Sequence, residues 1–146
     1  MEVYGWGDVQ RTVLASPQPA AGAGVTIGVP ESQYQTLVAV TFRFVTSATV
    51  ATRVPTVTVT DGSGVAIVAV AAGKSQIASL TGDYCFAVGL GEWDAASTAV
   101  LSGPLPPLPL AAGDSIVIGV NAIDTTDQLS RVRVTLLQRP VRVDGA

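Results

Sequence analysis

The chain comes nearest to a reaction centre at Glu92-Trp93-Asp94, which follows Gly89-Leu90-Gly91 directly. A retaining glycosidase sets its two carboxyl groups about 5 Å apart and an inverting one about 6.5–9.5 Å apart. Two acids and one aromatic on a glycine-rich loop fit a polar loop anchored by Trp93, or a carbohydrate contact, better than they fit catalysis. Asp124-Thr125-Thr126-Asp127 offers two acids, half of what a calcium loop uses, and reads as a polar turn between strands. Cys85 is the single cysteine and sits in Tyr84-Cys85-Phe86-Ala87-Val88, where it reads as a small buried hydrophobe. One cysteine closes no internal disulfide, which suits folding in a reducing compartment. Lys74, in Gly73-Lys74-Ser75-Gln76, reads as a solvated loop residue. The chain has no histidine, so Ser-His-Asp and Cys-His arrangements, imidazole acid–base work and histidine metal sites are all excluded. After Gly89-Leu90-Gly91 comes an acid rather than a helix start, the wrong arrangement for phosphate. The expectation is a protein that is not an enzyme, with no catalytic residue, metal site or cofactor.

Charge narrows the partners. Eight basic and eleven acidic residues give a net charge of −3, and the sequence pI is near 4.6. Nucleic acid is not expected as a partner, because phosphate binding draws on clustered Lys and Arg. The basic residues gather only towards the C-terminus, at Arg131, Arg133, Arg139 and Arg142. Arg131 and Arg133 share a period of two, opposite Val132 and Val134, so they belong on one face of a strand. That face is either solvated or a contact surface for an acidic partner.

The elements that carry these residues are strands. In Val38 to Val45 the residues Val38, Val40, Phe42 and Phe44 alternate with Ala39, Thr41, Arg43 and Val45. Val54 to Thr60 and Val65 to Val70 flank Asp61-Gly62-Ser63-Gly64, a hairpin signal. Further runs are Val9 to Leu14, Val25 to Pro30, Asp83 to Gly89, Ser115 to Ala122 and Arg131 to Leu137. Apolar residues nowhere recur at helical spacing, and the longest clean apolar run, Val65 to Ala72, is far short of the about 20 residues a spanning helix needs. No membrane span is expected, and the first residues carry no secretory-signal pattern. The predicted fold is all-β: a single antiparallel β-sandwich of jelly-roll or similar Greek-key type, with an extended N-terminal arm.

The expected division is an arm over residues 1–34 with at most short strands, a sandwich over 35–140 and a tail over 141–146. Ser16 to Gly24 is rich in Pro, Gly and Ala, and Gly103 to Leu110 in Pro. With 48% hydrophobic and 13% charged residues and a mean hydropathy of +0.46, part of the surface is expected to lie against something else. The candidate contact residues are Trp6, Pro17, Pro19 and Pro30 on the arm, Trp93, Pro106 and Pro107 in the loops, and Arg131 and Arg133. An arm that holds the contact predicts that a chain lacking residues 1–30 still folds but no longer binds.

Thr46-Ser47-Ala48-Thr49-Val50-Ala51-Thr52-Arg53-Val54-Pro55, leading through Val57-Thr58-Val59 to Asp61-Gly62-Ser63-Gly64, resembles small virion proteins of tailed bacteriophages. So does the later order of Ala78-Ser79-Leu80, Tyr84 to Gly89, Leu105 to Leu110 and Ala112-Gly113-Asp114-Ser115-Ile116, and the resemblance runs from about Val29 to Leu137. The resemblance implies a β-sandwich structural component of the virion, a capsid decoration or minor capsid protein. Its expected partners are the major capsid protein or other virion proteins. It would be assembled in the host cytoplasm as a homo-oligomer, with a trimer favoured. A tail, connector or baseplate component shares this composition. A carbohydrate-binding module would need Trp93, Tyr84 or Tyr34 exposed together on one face.

Overall fold

The computed structural model describes residues 10–30, 34–91, 93–94 and 100–139, and among them there is no helix. The strands are β1 (Gln10–Ala15), β2 (Val25–Gly28), β3 (Tyr34–Val45), β4 (Val54–Thr60), β5 (Ala66–Ala71), β6 (Thr81–Val88), β7 (Trp93–Asp94), β8 (Val100–Leu105), β9 (Leu108–Leu110), β10 (Ser115–Asn121) and β11 (Gln128–Arg139). They form a seven-stranded sheet in the order β1-β11-β3-β6-β8-β7, with β9 added to β3, and a four-stranded sheet in the order β2-β10-β4-β5. The chain crosses between sheets from β1 to β2, β2 to β3, β3 to β4, β5 to β6, β9 to β10 and β10 to β11. Without β7, β8 and β9 this is the eight-stranded double Greek key of a jelly roll.

Period-two patterning places the core between the sheets. β3 turns Val40, Phe42 and Phe44 inward; β11 adds Leu129, Val132, Val134 and Leu136, and β6 adds Tyr84 and Phe86. The facing sheet contributes Val57, Val59, Ile116 and Ile118. Phe42 lies between Tyr84 and Phe86, with ring centroids 5.0 and 6.1 Å away. The predicted turn at Asp61 closes as an Asx turn: the Ser63 and Val65 backbone N–H groups donate to Asp61 Oδ1, and Gly64 takes φ +81°.

The expected all-β sandwich is present, and two details depart from the expected pattern. The larger sheet is not wholly antiparallel, because β8 runs parallel to β6, from Asp83↔Val100 to Val88↔Leu105. Residues 89–99, which include β7, connect the two. Residues 1–34 carry two short strands, β1 and β2. β1 pairs with β11 along its whole length and β2 pairs with β10, so from Gln10 onward the segment supplies a strand to each sheet. Finally, β3 carries a bulge at Val38, between the pairs Thr135↔Ala39 and Leu136↔Leu37. The bulge moves the inward set to Gln35 and Leu37 and leaves Val38 half-buried. Residues 1–9 and 140–146, including Trp6 and the expected tail, lie outside the described residues.

Candidate functional site

One end of the sandwich gathers four loops: residues 16–24, 46–53, 72–80 and 122–127. At their centre Arg53 and Asp127 form an ion pair whose side chains are both fully buried, with Nε to Oδ2 at 2.9 Å. Arg53 Nη1 donates to the Thr49 and Ala51 carbonyls at 2.8 and 3.0 Å, and Nη2 donates to Ser47 Oγ and Asp127 Oδ1, both at 3.2 Å. With Nε, all five guanidinium N–H groups have acceptors. Asp127 also accepts from the Ser47 and Asp124 backbone N–H groups at 2.8 Å each. A buried charge pair is tolerated only when its remaining hydrogen-bonding capacity is satisfied in this way.

The neighbouring polar groups extend the clamp. Gln76 donates to the Phe44 and Leu80 carbonyls and accepts from the Tyr84 hydroxyl at 2.8 Å. Thr46 donates from Oγ1 to the Ile77 carbonyl, and Arg53 and Gln76 exchange backbone hydrogen bonds. The Gly22 N–H donates to the Asp127 carbonyl, tying in the 16–24 loop, and a Cβ at Gly22 would lie 2.8 Å from Thr125 Cα. The predicted polar turn at Asp124 to Asp127 is therefore a structural knot: the Asp127 oxygens are occupied by Arg53 and backbone N–H groups. The role of Arg53 is not evident from its sequence neighbours. Its signal was the isolation of one arginine in the otherwise uncharged stretch Thr46 to Thr60.

Above this network the loops present apolar side chains. Val50 is 93% exposed and Ile77 60%, and Leu80 and Val45 are also exposed. A loop held by a buried polar network cannot fold these side chains inward, so the crown is pre-organised.

Several carboxylates share one electrostatic direction. Burial pushes the Asp127 carboxyl up, but the N–H donations from Ser47 and Asp124 and the Arg53 guanidinium outweigh it, leaving it below the ordinary carboxylate range. Asp124 is lowered first by the Thr126 hydroxyl, and Asp83 first by its hydrogen bonds from Arg43. In each case the unfolded chain holds the proton more readily than the native one. Their stabilisation is therefore complete above the unfolded value of about 3.9 and is lost as pH falls through the lower native values. The melting temperature is expected to stay level between about pH 5.5 and 8, where no histidine titrates, and to drop below about pH 4. Thermal melts followed by circular dichroism across that range check this; a decline starting near pH 6 would contradict it.

The predicted contact residues do not form one cluster. Pro17 is exposed, and the Pro19 carbonyl accepts from Gln128 Nε2 at the crown end. Pro30 is exposed at the opposite end, where the Val29 N–H donates to the Asp114 carbonyl. Pro106 and Pro107 are exposed between β8 and β9. Arg131 and Arg133 do lie together on the outer face of the larger sheet, as their spacing predicted, with Val132 and Val134 buried behind them. Trp93, in β7, pairs through its backbone with Ser102 of β8, while its side chain, like Glu92 and Trp6, lies outside the described residues. Tyr84 is 2% exposed and hydrogen-bonded to Gln76, so it is withdrawn from any sugar-stacking face. Cys85 is half-buried on the outer face of β6, and burial pushes its thiol up, away from the reactive thiolate.

No protein-family model matches the chain, and no curated protein matches it. Among solved structures it is similar to a chain of the T13 viral particle of infectious bursal disease virus, with 12% identity, a TM-score of 0.41, and coverage of 90% of this chain and 31% of that one. A chain of the Gx strain of the same virus is 11% identical with a TM-score of 0.32, over 90% of this chain and 42% of that one. This chain thus spans less than half the length of either of those two.

Proposed function

We propose that this chain is a non-enzymatic structural component of a virion, a capsid decoration or minor capsid protein that binds the major capsid protein lattice as a homo-oligomer. The single observation that carries the reading is the clamped crown. A fully satisfied buried network fixes loops whose outward side chains include Val50, Ile77 and Leu80. Exposed apolar groups on rigid loops gain free energy when covered and lose little conformational freedom in doing so. The low overall charge and the sequence resemblance point the same way. Jelly-roll topology is compatible with this role but does not select it, since capsid and lectin domains share it.

The double variant V50D/I77D tests the proposal. Both positions are exposed, so the melting temperature is expected to stay within a few degrees of wild type. Binding to particles made from the genome that encodes the chain is expected to weaken at least about tenfold, the equivalent of one well-buried side chain. Co-sedimentation with purified particles reads the result. A variant that saturates the particles like wild type overturns the crown as the contact, and a wild-type chain absent from particles overturns the virion reading itself.

A further inference from the structure

We propose that the outer face of the larger sheet is a second docking surface, which takes an extended acidic segment of a partner protein on Arg131 and Arg133. Arg11, Arg43, Arg131 and Arg133 all project from this face, with Asp83 as the acid among them, in a chain whose net charge is −3. Asp83 is taken up by the Arg43 fork, Nε to Oδ1 at 2.8 Å and Nη2 to Oδ2 at 2.9 Å. Neither Arg131 nor Arg133 forms an ion pair among the described residues, although the Arg131 charge helps Arg43 hold the Asp83 carboxyl down. The two flank an open groove of about 400 Å³ that Thr41, Arg43, Asp83 and Cys85 also line. Small side chains beneath long arginines leave room for an extended chain, and guanidinium forks match carboxylates in pairs.

The backbone supplies a second, independent observation. Between the pairs Ser130↔Arg43 and Arg133↔Thr41, β11 has one residue more than β3. This bulge puts Arg131 at φ +53°, in the left-handed region that glycine occupies without strain. An arginine at a position where glycine would be more stable is accounted for if the guanidinium is needed on that face. The excess of acid elsewhere in the chain disfavours a long polyanion such as nucleic acid, and leaves a short acidic peptide segment as the occupant. This inference stands apart from the virion reading and needs only the groove.

The test titrates the full chain with fluorescein-labelled decaglutamate, using a Gly-Ser peptide of equal length and an oligothymidylate as comparators, read by fluorescence anisotropy at low and physiological salt. Saturable decaglutamate binding that weakens with salt is expected, with alkylation of Cys85, the single cysteine, slowed in the bound state. The R131G/R133S variant is expected to bind at least about tenfold more weakly, while melting at or above the wild-type temperature because glycine relieves the bulge. Arg133→Ser alone, at a regular strand position, gives the same reading if the double variant misfolds. Four outcomes overturn the proposal: no saturable binding, equal binding by folded variants, tighter binding of oligothymidylate than of decaglutamate, or salt-sensitive self-association through these arginines that decaglutamate does not compete with.

Discussion

Replacing Asp127 by alanine is expected to lower stability by about 3–5 kcal/mol, the range for breaking a buried ion pair from one side. For a domain of this size that corresponds to a fall of about 10–15 °C in melting temperature. The loss comes chiefly from what remains. Arg53, fully buried, keeps its charge but loses the acceptor of Nε and one acceptor of Nη2. The Ser47 and Asp124 N–H groups lose their acceptor as well. Replacing both partners by leucine removes the orphaned charge and is expected to recover part of the loss. Recovery stays incomplete because the Thr49 and Ala51 carbonyls then lack the donor that Arg53 supplied. Urea melts of the three proteins give the comparison. An alanine variant within about 1 kcal/mol of wild type would contradict the assignment of this pair as the clamp of the crown.

The second large effect concerns the segment before β3. Deleting residues 1–30 is expected to abolish cooperative unfolding, in contrast to the folded sandwich that a detachable arm would leave. The deletion removes β1 and β2 from the edges of both sheets, takes away the buried Val25 and Val29, and strips off Leu14 and Ile27, which pack against the core. At about 1.5–3 kcal/mol for each fully buried aliphatic side chain, the loss approaches the whole net stability of a domain, about 5–15 kcal/mol. It also opens the edge of β10 beside Ile116 and Ile118, both fully buried in the intact chain. Near-ultraviolet circular dichroism and calorimetry of the truncated chain decide the matter. A sharp transition with native-like aromatic signals would show that β1 and β2 are dispensable, and would return any contact role to the arm alone.

The strands that were legible in the sequence are those whose alternation is long and uninterrupted. Phe42 and Phe44, Val57 and Val59, Ile116 and Ile118, and Val132 and Val134 point into the core as their period of two requires. The hairpin turn at Asp61 was equally legible, because Asp-Gly chemistry is local. Pairings between distant residues carry no such local mark. Leu14↔Val134 joins the ends of the chain, and nothing near Leu14 announces its partner. β8 and β9 were hidden by Pro104 and Pro109, which read as loop but are tolerated where one side of a strand has no partner to bond. Bulges at Val38 and at Arg131 shift the register by one residue without altering composition.

For the site, the outward spacing of Arg131 and Arg133 could be read directly, but the meaning of Arg53 could not. Arginine is rarely fully buried, and its burial here depends on an aspartate 74 positions away. The crown was likewise invisible, since Val50 and Ile77 look like core residues until their loops are placed.

We propose the crown as the surface by which this chain joins a larger assembly. A side-chain-resolution reconstruction of purified particles, made from the genome that encodes the chain, tests this most directly. Jelly-roll density is expected on the particle, with the Val50 and Ile77 loops seated against the shell and the Arg131 and Arg133 face turned away from it. Sandwich density attached by the opposite end, near Asp61 and Asp114, with the crown open to solvent, would contradict it.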